Sequence, residues 1–103
     1  MEYKVVYGDK VTSFVISKTK TGGAIEYSNN LGLKSSTKIS TTDFDYLKDK
    51  VNKAKGPTNK LEFCRRSYIE VTTDKRKLMG CIGGQNTVAR NLQSTVNLLS
   101  ILF

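Results

Sequence analysis

An α+β fold is predicted, with a single antiparallel β-sheet of about five strands and two helices packed on it, in the order β-β-β-(β)-α-β-β-α. Three observations predict it. Short runs of β-branched and aromatic residues, broken by glycine-bearing turns, fill the first forty positions. Residues 42–55 and 86–103 instead space their apolar residues at helical intervals. Between them, residues 60–84 read as a second hairpin, and strands paired as hairpins with helices between them make one layered antiparallel sheet. At 103 residues the chain is the size of one domain, 1–103.

Residues 2–7, with Tyr3, Val5 and Tyr7 alternating, and residues 11–17, with Val11, Phe14, Val15 and Ile16, form the opening hairpin around Gly8-Asp9. Gly22-Gly23 supplies the next turn and residues 24–27 a third strand; an irregular edge strand is placed near residues 31–39. The first helix spans 42–55, with Thr42 as its cap and Phe44, Leu47, Val51 and Ala54 on one face. Gly56-Pro57 ends it. The last helix, capped by Asn86 or Thr87, carries Val88, Leu92, Val96, Leu99 and Phe103 at near four-residue spacing.

In the second hairpin a turn at Asp74-Lys75 puts Leu61, Phe63, Arg65, Ser67, Ile69, Val71, Leu78 and Ile82 on the core side. Arg65 and Ser67 interrupt that face, so a β-bulge is expected near Arg65-Arg66. The same register opposes Cys81 to Tyr68. Were the strand extended back to Cys64, the two cysteine Cα atoms would stand about 13 Å apart, beyond the roughly 7 Å that a disulfide spans. Free thiols, which fit a reducing compartment, are therefore expected. No signal peptide or membrane-length apolar run is read, so a cytoplasmic protein with no membrane partner is expected.

The chain has 17 Lys and Arg against 9 Asp and Glu, a net charge of +8 that attracts polyanions. It has no histidine, which removes Ser-His-Asp and Cys-His catalysis and histidine zinc sites. No metal or cofactor is expected. Lys48, Lys55, Arg65, Arg66, Lys75, Arg76 and Lys77 are the candidate phosphate contacts, and Tyr68 a base-stacking surface. A weaker anion site is read at Gly83, Gly84 and Arg90, where a glycine-rich corner enters the last helix. Residues 85–103 carry only Arg90 and no acid, which marks the segment for packing or, through its apolar end, for homodimer contact.

These residues point to a small non-enzymatic accessory protein that binds DNA or RNA. Two other readings use the same residues: an inhibitor or adaptor docking on an acidic protein surface, and a histidine-free endoribonuclease in which Lys, Arg and Tyr stabilise the phosphorane. In element order alone, the chain resembles the double-wing DNA-binding domains of phage transcription activators; no residue role follows from that.

Overall fold

The computed structural model describes residues 1–54 and 64–102. Lys55, the Gly56-Pro57 stop, the expected core positions Leu61 and Phe63, and Phe103 lie outside the described residues. The elements are β1 (Glu2–Tyr7), β2 (Lys10–Thr19), β3 (Gly22–Asn29), β4 (Lys34–Ser40), α1 (Thr41–Lys53), β5 (Ser67–Thr72), β6 (Lys77–Cys81) and α2 (Thr87–Leu102). They form one antiparallel six-stranded sheet, ordered β4-β3-β2-β1-β5-β6. The α+β class holds, with a sixth strand beyond the five expected.

Period-two alternation builds the two faces. Tyr3, Phe14, Ile16, Ile25, Ile39, Ile69, Val71 and Leu78 project to the side that both helices cover and are buried there. Leu47 and Val51 of α1 and Val88, Leu92 and Leu99 of α2 complete the same cluster. Each such side chain contributes roughly 1.5–3 kcal/mol by leaving water. Phe14 and Tyr27 meet edge to face, their ring centroids 5.5 Å apart.

Two glycines set how closely the helices lie. A Cβ at Gly80 would stand 2.7 Å from the Cα of Ala89, and one at Gly23 would stand 2.8 Å from the Phe44 ring. α2 therefore rests directly on β6, and α1 on the β3–β4 side. The C-terminal half of α2 reaches β2 and β3, where Val96 and Ser100 share a groove with Phe14 and Tyr27.

Two local expectations change, and the expected Asn86 cap of α2 holds. The cap of α1 is Ser40, not Thr42: Asp43 N–H donates to Ser40 Oγ (3.1 Å), so the helix starts directly from the end of β4. Asn86 caps α2, taking the Ala89 N–H at 2.8 Å.

The second change concerns the cysteines, which are bonded to each other with Cα atoms 4.9 Å apart. The expected register is right, since Tyr68 does oppose Cys81. The extended path back to Cys64 is what fails. Arg65 and Arg66 take positive φ of 48° and 63°, and Ser67 N–H closes the turn onto Cys64 O at 2.9 Å. There is a left-handed turn where a bulge was expected. It folds Cys64 back beside Cys81.

Candidate nucleic-acid interface

No described helix covers the opposite face, and its side chains follow from the strand registers. One cross-strand row reads Lys34, Ser28, Ser13, Lys4, Glu70, Met79; the next reads Ser36, Glu26, Val15, Glu2, Thr72, Lys77. A third row sets Val11, Val6, Tyr68 and Cys81 side by side. Cations and acids alternate along this face, so it is not a uniform basic platform.

The structure divides the sequence-predicted cations into two groups, at opposite ends of β5. Six residues of strand separate them, about 20 Å at 3.4 Å per residue. At one end Arg65 and Arg66 are exposed. The Arg66 guanidinium donates to Asp9 at 2.6 Å, and Arg66 O accepts the Gly8 N–H at 2.9 Å, tying this turn to the β1–β2 turn. Tyr68 follows on the face opposite the helices, half-buried against Val6. Arg66, Tyr68 and Lys4, drawn from the turn, β5 and β1, border a shallow recess of about 420 Å³ that Asp9, Val6 and Val11 complete.

At the other end lie Lys48, Lys75, Arg76 and Lys77. The Arg76 guanidinium donates to the carbonyls of Val51 and, at 3.1 Å, Asn52. It therefore caps the C-terminus of α1, where a cation meets the last-turn carbonyls, Val51 O also accepting the Ala54 N–H at 3.2 Å, and the negative end of the helix dipole. Lys77 pairs with Glu70 at 3.2 Å. Lys48 and Lys75 are exposed and border a recess of about 450 Å³ with Asp74 at its lip; neither forms an ion pair among the described residues. Lys55 lies outside the described residues.

At the glycine corner, Gly83 N–H donates to Gln93 Oε1 (2.9 Å) and Gly84 N–H to Cys81 O (3.0 Å). Arg90 donates to Gln85 Oε1 at 3.1 Å. The groups an anion would use there already have protein partners. Gln93, one helical turn beyond Ala89, is the residue that sequence reading overlooked.

Lys4 was also overlooked. Strand alternation alone puts it on the face away from Tyr3 and Val5, but its approach to Tyr68 depends on β1 pairing with β5, which no local pattern encodes. Only three ion pairs form among the described residues, Lys53–Asp49, Arg66–Asp9 and Lys77–Glu70, so most of the positive charge is left without an acidic partner. No group of metal-ligating side chains occurs among them. No described helix is long and apolar enough to cross a membrane. The chain matches no family model, no curated protein sequence and no solved structure.

Proposed function

We propose that the protein binds single-stranded nucleic acid at the recess formed by Lys4, Arg66 and Tyr68. The observation that carries this reading is their convergence from separate segments: one aromatic ring beside two cations on the sheet face that no described helix covers. A base stacks on the Tyr68 ring while Arg66, Arg65 and Lys4 meet the flanking phosphates. Asp9 holds the Arg66 guanidinium in place but also offsets its charge, so Lys4 and Arg65 carry the larger share of the phosphate contact. Lys48 and Lys75, at the far end of β5, supply long-range attraction.

The test is binding of labelled single-stranded DNA, duplex DNA and RNA by fluorescence anisotropy at low salt. Tyr68→Ala should weaken single-strand binding by about tenfold, as loss of one stacked base does, and leave duplex binding nearly unchanged. Equal losses on single strand and duplex, or no binding of any of the three at about 50 mM salt, would reject the reading. Cleavage of the RNA in the same tubes would favour the ribonuclease reading, because the recess also brings together the residue types that reaction needs.

The cytoplasmic location expected from the sequence rested on the lack of a signal peptide, and free thiols would have fitted it. A Cys64–Cys81 bond favours an oxidising compartment instead. Alkylation of the protein from its native source without reductant checks this: unmodified cysteines place it in such a compartment, two modified thiols in a reducing one.

A further inference from the structure

β4 is the outermost strand on its side of the sheet, and no described residue pairs with its outer edge. Its contacts with β3 show which backbone groups are left over. Asn29 N–H donates to Leu33 O at 3.1 Å, and Ile39 O lies so near Gly22 that a Cβ there would meet it at 2.3 Å. In an antiparallel ladder these contacts turn the peptide groups of residues 33, 35, 37 and 39 toward β3. The N–H and C=O groups of Lys34, Ser36 and Lys38 therefore point away from the sheet, and all three residues are exposed.

Beside Ser35, on the helix-covered side, a groove of about 510 Å³ runs under the end of α2. Phe14, Tyr27, Leu33 and Val96 line it together with Lys10 and Lys34, and no acid does. Leu33 is 62% exposed there, a large apolar side chain at the start of the open strand.

Charge selects the occupant of this edge. A second copy paired antiparallel about Ser36 sets Lys34 opposite Lys38 twice, and like charges directly opposite repel. Lysines on an edge strand are a common guard against such self-pairing. A strand with carboxylates at those two positions turns both repulsions into attractions. Glu26 neighbours Ser36 one strand in and disfavours a third acid between them. The intervening residues of the added strand point to the groove side, where apolar side chains are covered.

We propose that the β4 edge binds an extended acidic segment of another protein by strand addition, in the pattern acid, apolar, neutral, apolar, acid.

A fluorescein-labelled, end-capped peptide with the core Glu-Val-Thr-Val-Glu tests this by anisotropy. It should bind saturably. Methylating the backbone nitrogen of its central Thr should lower affinity at least tenfold, since charge and side chains stay while one ladder hydrogen bond is lost. Ser36→Pro should do the same from the protein side, because proline is tolerated where an edge N–H faces solvent. Lys34→Glu with Lys38→Glu should switch preference to the peptide Lys-Val-Thr-Val-Lys.

Equal binding of the methylated peptide overturns the proposal with wild-type protein alone, whatever the variants do. Displacement of the peptide by a single-stranded oligonucleotide in wild type and Tyr68→Ala alike would overturn it by assigning the edge to nucleic acid. A concentration-dependent dimer abolished by Ser36→Pro would overturn it in favour of a second copy.

Discussion

Tyr3 sits at the centre of the core, its ring buried between β1 and α2. Burial pushes its phenol pKa well above the ordinary value, the adjacent Thr95 hydroxyl pulls it down, and Tyr46 adds a smaller push upward. Thr95 donates its own proton to Leu92 O at 2.8 Å, and the Tyr3 hydroxyl has no hydrogen bond of good geometry among the described residues. A raised folded pKa stabilises the protein fully below the unfolded-state value near 10, and that contribution is lost as pH rises above it. Urea midpoints measured at pH 7, 9 and 11 should therefore fall less steeply for Tyr3→Phe than for wild type, with little change at pH 7. A second single-residue expectation concerns Arg76. If its main work is capping α1, Arg76→Ala should cost about 1–2 kcal/mol in denaturant unfolding. Unchanged stability with weakened nucleic-acid binding would instead return Arg76 to the interface.

The second hairpin is the element where local reading and structure part. Its turn is as expected: Thr73 N–H donates to Arg76 O at 2.9 Å, and the Lys75 and Arg76 N–H groups donate to Thr73 Oγ1. Its far end is closed by the disulfide, which links residues 17 apart in sequence. Closing a loop of that length stabilises by about 3 kcal/mol, so reduction should lower the melting temperature by about 10–20 °C for a chain of this size. Calorimetry with and without a phosphine reductant reads this directly; coincident curves would mean that the bond contributes nothing. The helices were legible because their apolar residues recur at helical spacing, to which charged ends added only in α1. In α1, Leu47 and Val51 are buried on the expected face, as is Ala54 at its C-cap.

For the molecule as a whole, charge and shape answer separate questions. The excess of cations is spread over both ends of β5 and the β4 edge, so attraction to a polyanion is general while contact is local. The logarithm of nucleic-acid affinity should fall with the logarithm of salt concentration with a slope of about −2 to −3, as three or four phosphate contacts on a single strand give. Lys48→Glu with Lys75→Glu should make that slope shallower by no more than about one. A slope near zero would place the binding, if any, on stacking alone.

The amino-acid sequence by itself determined the element types, the antiparallel pairing of the hairpins and the core face, because alternation, helical spacing and turn residues act over a few neighbouring positions. Val71 opposing Leu78 follows from a turn of known length. Only the tertiary structure decided that β1 lies between β2 and β5, which brings Lys4 to Tyr68 and ties Asp9 to Arg66. It also decided the Cys64–Cys81 bond, through two left-handed arginines that no propensity favours. Such contacts join residues far apart in sequence, and their energy exists only once the sheet has brought the strands together.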